Sequence, residues 1–270
     1  MSTVIAQHQE TAAEGSTSTR AGRLAALGRA ELTLLVRNRT MLFMALFMPL
    51  GLILSTKASL QNVDLGATGL SVMEVAMTGG IGMVLLLVVY MNLTSAYTAR
   101  REELVLKRLR TGEVSDSEIL TGTALPAAAL ALAQCVVLVL AGVALLDISA
   151  PQRPELLVLG VLAGTGLMAA LAAASAGFTR TVESAQISTL PMLLISSLGS
   201  GLFVPLETLP DKIASVCELL PMTGVVTLVR VGWLGGASGG DLLTAGLNAL
   251  AWIVLSVFAV KLWFRWEPRR

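Results

Sequence analysis

Apolar residues along this chain gather in six runs, each near the roughly 20 residues that a helix needs to cross about 30 Å of hydrocarbon. They lie at 41–59, 72–97, 118–146, 155–177, 185–206 and 241–264. Inside lipid no water is at hand to bond the backbone, so runs of this length predict helices, and the short alternating strands of a barrel are missing from the pattern. The first run is interrupted by Pro49 and carries Lys57 near its end. The expected fold class is an all-α integral membrane domain over 40–270 with six transmembrane helices.

The polar stretches between the runs carry their own signals. Met1 to Thr19 is rich in Ser, Thr, Ala and Glu, with no basic segment leading into an apolar core. It predicts a disordered cytoplasmic tail rather than a cleaved signal peptide. From Arg20 to Arg39, Leu24, Leu27, Leu34 and Leu35 cluster on one helical side while Arg23, Arg29 and Arg37 lie mostly opposite, with Glu31 inside the apolar sector. This predicts an interfacial amphipathic helix over 20–39 along the inner leaflet, with a solvated linker helix as the competing reading.

Arg100 to Glu118, RREELVLKRLRTGEVSDSE, holds five of the chain's 19 basic and five of its 18 acidic residues. The spacing predicts a three-turn helix over 100–111 stopped at Gly112. Ser115 and Glu118 then give an S-x-x-E capping box that opens the third span. Leu209 to Gly232 mixes Asp211, Lys212 and Glu218 with apolar stretches broken by Pro221 and Gly224. It reads as short re-entrant helices dipping into the outer leaflet as a lid. A seventh span is the competing reading, and it would carry the last four positive charges outside.

Composition places the chain outside the soluble globular range, at 54% hydrophobic and 14% charged residues. The net charge of +1 gives no reason to expect a nucleic-acid partner. With the N-terminus inside, all Lys and Arg except Lys57, Arg153, Lys212 and Arg230 fall on the inner side. The positive-inside rule therefore predicts a multi-pass plasma-membrane protein with both termini cytoplasmic. Tyr97, Trp263 and Trp266 fit aromatic anchors at the inner interface. Gly160 and Gly164 form a GxxxG followed by an alanine-rich stretch, which predicts that the fourth span packs inside a bundle or a dimer interface. Pro49, Pro126 and Pro191 are expected to kink their helices. Cys135 reads as a small buried hydrophobe, and Cys217 has no obvious disulfide partner.

Several chemistries are missing. No GxxxxGK[ST] occurs, so the chain has no P-loop of its own for ATP. The single histidine is His8, in the tail, which removes intramembrane His relays, zinc-protease sites and Ser-His-Asp triads. Glu74 and Glu183 sit near span ends, where interfacial solvation is expected, and no carboxylate lies central enough for ion coupling. Asn92, Gln134, Gln186 and Asn248 lie deeper and are expected to bond between helices. The pattern is that of a pathway or scaffold without an energy source, not of an enzyme, and it binds no cofactor or metal itself.

Three segments resemble a known family. Leu35-Val36-Arg37-Asn38-Arg39, followed by Pro49, is similar to the R-N helix that leads into that family's first span. Arg101-Glu102-Glu103 through Lys107-Arg108-Leu109-Arg110 is similar to its R-E…K-R-L-R segment after the second span. Gly201-Leu202-Phe203-Val204-Pro205-Leu206-Glu207-Thr208-Leu209-Pro210, with Leu220-Pro221 beyond, resembles its G-x-F-x-P-x-x-x-L-P…L-P stretch. The family is that of the type-2 permeases of ABC transporters. This chain departs from it after Arg110, reading Thr111-Gly112-Glu113-Val114-Ser115 where the family continues with a small residue and Pro.

The resemblance implies a homo- or heterodimer of six-span subunits in the membrane lipid, with separate ABC ATPase subunits docked below that bind the ATP and Mg. It implies a coupling helix in which Arg101, Glu102, Glu103, Lys107, Arg108 and Arg110 make charged contacts while Leu104 and Leu109 enter a groove of the ATPase. Phe203, Pro205, Leu209, Pro210 and Pro221 fall at the outer gate or lid. A pathway lined by Leu, Val, Met and Phe suits export of a hydrophobic or amphiphilic drug, lipid or secondary metabolite. The alternatives are a stand-alone secondary carrier and a membrane scaffold without an ATPase. A further one makes 100–118 a loop that serves only topology and anionic lipid, against which stand Glu102, Glu103, Glu113, Asp116 and Glu118.

Overall fold

The structure, a computed structural model, describes residues 72–110, 115–145, 148–203, 205–264 and 266, with the single positions Gly22, Thr33, Phe47 and Gly51. The expected tail over 1–19, interfacial helix over 20–39, first span over 41–59 and stop at Gly112 lie outside these residues, those single positions apart. Among the described residues the chain is helical, with no strand.

The second apolar run forms a rod from Met73 to Glu102, ending five residues beyond its apolar pattern. Helix α1 (Val72–Val84) passes into a π-helical segment, Leu85–Met91, and then into α2 (Asn92–Glu102). The helix outlasts the apolar run because Thr94, Ser95 and Thr98 donate their hydroxyls to the carbonyls four residues back. Polar side chains satisfied on their own backbone can continue a buried helix. The predicted helix over 100–111 is therefore not one helix. Its first three residues finish α2, a turn follows at Glu103–Leu104, and a separate six-residue helix α3 (Val105–Arg110) comes next.

Helix α4 (Asp116–Leu145) opens at the predicted cap: Ser115 N–H donates to Glu118 Oε2 at 2.8 Å and Glu118 N–H to Ser115 Oγ at 3.4 Å. It runs through Pro126. Helix α5 (Pro154–Phe178) starts on a proline, whose missing N–H is no loss in a first turn. The fifth apolar run, expected as one span over 185–206, divides into α6 (Val182–Ser188) and α7 (Leu190–Gly199). Pro191 cannot donate back into α6, and the backbone turns left-handed at Gly201 (φ 75°), ending the helix before 206.

Helices α8 (Asp211–Cys217) and α9 (Pro221–Leu234) are bent by 95° relative to one another. Helix α10 (Gly239–Trp263) begins at a Ser238–Asp241 capping box. Among the described residues, four helices are long and apolar enough to cross a membrane, or five if α8 and α9 count as one broken span.

Two short helices stand where the lid was expected over 209–232, and the second of them is largely enclosed. Helix α9 is the buried column of the bundle: eleven of its fourteen residues are enclosed. The GxxxG of α5 makes this possible, since Gly160 abuts Leu228 and Val229, and Gly164 abuts Val225 and Leu85 of the π segment. Only α8 remains largely exposed. Large apolar side chains such as Leu140, Ile187, Leu198, Leu247 and Phe258 face outward from α4, α6, α7 and α10. Such faces are stable against hydrocarbon and costly against water.

Candidate coupling site at the charged end of the bundle

The end of the bundle that carries residues 100–110 is held together by side chains from the last turns of α2. Tyr97 donates its hydroxyl to the Leu120 carbonyl at 2.8 Å, and Arg100 donates to Thr123 Oγ1 at 3.0 Å, both on α4. On the other side, Thr98 and Thr179 share a hydroxyl hydrogen bond of 3.0 Å. Arg101 donates through one guanidinium nitrogen to the Ala176 carbonyl and through the other to the Thr179 carbonyl. The root of the charged turn is thus bonded to the start of α4 and to the end of α5.

Arg101 is 1% exposed, whereas its neighbours Glu102 and Glu103 are exposed. The eight residues expected to contact an ATPase are therefore not equivalent. Glu102, Glu103, Leu104 and Arg108 lie on the surface, Leu104 at 40% exposure, while Arg101 turns inward. The side chains of Lys107, Leu109 and Arg110 lie outside the described residues. Burying a guanidinium costs several kcal/mol unless its donors are met, and the last carbonyls of a helix are its best partners.

Leu104 is the one non-glycine with positive φ among the described residues, at 58°. That conformation costs on the order of 1–3 kcal/mol for a side chain with a Cβ. It is held by Leu104 N–H donating to the Arg101 carbonyl at 3.1 Å and Arg108 N–H to the Leu104 carbonyl at 3.0 Å. Leu106, which the sequence did not single out, is fully buried and anchors α3 on the bundle. The strain sits in a turn that exposes one leucine between two glutamates and a basic helix.

Tyr97 is also corrected. It is 2% exposed and bonds between helices, with its ring edge-on to Phe264 at 6.2 Å, so it is no interfacial anchor. Trp263 is half-exposed beside Phe178, as an anchor would be. One signal of the buried face was present in the sequence: Thr94, Thr98 and Arg101 follow an i, i+4, i+7 stripe continued backwards by Tyr90, whose hydroxyl meets Ser175 Oγ at 3.1 Å. Glu183 lies exposed in the first turn of α6, and hydrogen bonds from its own backbone N–H and from Thr181 hold its carboxyl below the usual range.

At the opposite end, Phe203 and Leu209 are half-buried, Pro205 is buried and Pro210 exposed, whereas Pro221 is buried at the first turn of α9, nearer the middle of the bundle. Val204 and the Glu207 side chain lie outside the described residues. Arg230 of α9 donates to the Gly201 carbonyl, tying the turn after α7 to the central column. The break between α8 and α9 is bonded to the middle of α10: Asn248 donates to the Glu218 carbonyl at 2.9 Å and Trp252 to the Leu219 carbonyl at 2.8 Å, while Gly224 N–H donates to Asn248 Oδ1. These bonds satisfy backbone groups that a broken helix leaves open. Asn248 shows the expected inter-helix bonding, while Gln134 is buried in α4 and Asn92 and Gln186 are exposed.

A bundle of long apolar helices with an irregular, backbone-satisfied segment packed inside it is a multi-pass integral membrane protein. Residues 23–234 match the ABC-2 type transporter membrane family, a match that ends at the last residue of α9. The chain belongs to that family and is a transmembrane subunit of an ABC transporter. Members of the family normally work with an ABC ATPase partner. No curated protein matches the chain in sequence.

Proposed function

We propose that this chain is a six-span, non-catalytic subunit of an ATP-driven exporter in the plasma membrane, paired with a second permease subunit and with both termini cytoplasmic. A separate ABC ATPase, which binds the ATP and Mg, docks on the turn at 102–104 and on α3. The apolar interior passes a hydrophobic or amphiphilic compound. Phe203, Pro205, Leu209, Pro210 and Pro221 close the outer side, where α9 acts as a packed column and α8 as the exposed arm.

The observation that supports this reading best is the contrast across Arg101. The residues after it are exposed, oppositely charged and centred on a strained leucine, while its own side chain is locked into the bundle. A loop serving only topology has no use for that strain or for two exposed glutamates.

Reversing the charge of α3 tests the docking. Interfacial charge reversals cost several kcal/mol, so Lys107→Glu with Arg108→Glu is expected to lower copurification of the ATPase about tenfold or more. Undiminished association and ATP-dependent transport would refute the docking assignment. Transport by the chain alone under an ion gradient would favour the secondary-carrier alternative.

A further inference from the structure

The observations around Arg101 extend the docking reading and rest on it. Two features make this side chain more than a helix cap. First, its backbone carbonyl closes the strained turn by accepting from Leu104 N–H, and its guanidinium closes the end of α5 by donating to the Ala176 and Thr179 carbonyls. One residue therefore carries both the exposed turn and the terminus of a spanning helix. Second, α5 passes directly to the central column, because Gly160 and Gly164 leave no room between it and Leu228, Val229 and Val225 of α9.

The joint is stiff on every side. Thr179 Oγ1 bonds both Thr98 and the Ala176 carbonyl. Gly177 lies so close to α10 that an added Cβ would come within 2.9 Å of the Trp263 carbonyl. A guanidinium is a planar fork that can hold two carbonyls in one fixed geometry, which an ammonium on a flexible stem does not reproduce. A packed joint of this kind moves as a unit rather than deforming.

We propose that Arg101 is a positioning residue that transmits displacement of the ATPase-facing turn to the end of α5 and through α5 to the buried column α9. It contributes force transmission, not docking affinity. The path runs from Leu104 to Arg101, from Arg101 to Ala176 and Thr179, and along α5 to Gly160 and Gly164.

The test is hydrogen–deuterium exchange on the full complex, purified with its ATPase from native membranes, with and without ATP plus vanadate. In the wild type, trapping changes exchange in 102–110, in the last turns of α5 and in α9. In Arg101→Met the ATPase still copurifies and 102–110 still responds, while the ATP-dependent change in α5 and α9 is lost. A purely structural role would raise exchange in α5 equally with and without nucleotide.

If α5 still responds in Arg101→Met, or if the variant simply loses the ATPase, the assignment is overturned. Should Arg101→Met not reach the membrane, Arg101→Lys decides, because it keeps the charge without the fork and is expected to show the same split with partial loss in α5. A wild-type complex whose 102–110 segment does not respond at all contradicts the docking reading itself, independently of Arg101.

Discussion

Gly224 shows how tightly single positions set this fold. A Cβ there would run into the Ala245 carbonyl and the Ala249 N–H of α10, backbone groups that no rotamer change can move. Gly224→Ala is expected to force α9 and α10 apart and to cost about 1–3 kcal/mol, as overpacking does. Gly246, on α10, has open space around it. Gly246→Ala is therefore expected to be neutral, or to stabilise by about 0.5–1 kcal/mol through helix propensity. Thermal unfolding of the two purified variants side by side checks both, and equal loss in the two would refute the close approach. At this scale the local signals were legible and the tertiary ones only faintly so. The Ser115–Glu118 cap involves residues three apart and could be read directly. The burial of Arg101 depends on where α5 ends, and only the Thr94–Thr98–Arg101 stripe hinted at it.

Among the elements, the α8–α9 pair carries the most consequence, since its break leaves backbone carbonyls beside the middle of a long apolar helix. Asn248 and Trp252 answer them. Asn248→Leu removes two hydrogen bonds at once, one to Glu218 and one from Gly224, and is expected to destabilise by about 1–3 kcal/mol. Trp252→Phe keeps an aromatic but smaller side chain, loses one hydrogen bond and is expected to cost about 1 kcal/mol. Because both serve one turn, the double variant should lose less than the sum of the two, measured as the shift in unfolding temperature in lipid nanodiscs. Strict additivity would show that the two side chains do not share the turn.

The apolar runs marked α4, α5 and α10 to within a few residues, since length and hydropathy are local properties. They could not show that α2 runs on to Glu102 or that the expected lid contributes a largely enclosed helix, while the break of 185–206 at Thr189 falls beside Pro191, where a kink was expected. That enclosure follows from contacts between distant segments, whereas α2 runs on through hydroxyls bonded to their own helix. Nor does leucine signal the left-handed turn at Leu104, which the packing of Arg101 and Leu106 imposes.

For the whole molecule, the arrangement is a buried column, α9, gripped by α5 and α10 and reached from the charged end through one bonded joint. Motion imposed at that end has a short, stiff route to the interior, whereas α6, α7 and the outer face of α10 present side chains suited to lipid. The central claim is that an ABC ATPase sits on the exposed turn. A photo-crosslinking amino acid at Leu104, activated in intact cells, tests it most directly, with the outward-facing Ile187 of α6 as control. The account predicts a covalent adduct at Leu104, identified by mass spectrometry as an ATPase with a P-loop, and none at Ile187. Crosslinking of Leu104 to lipid alone, in cells where the transporter is active, would contradict it.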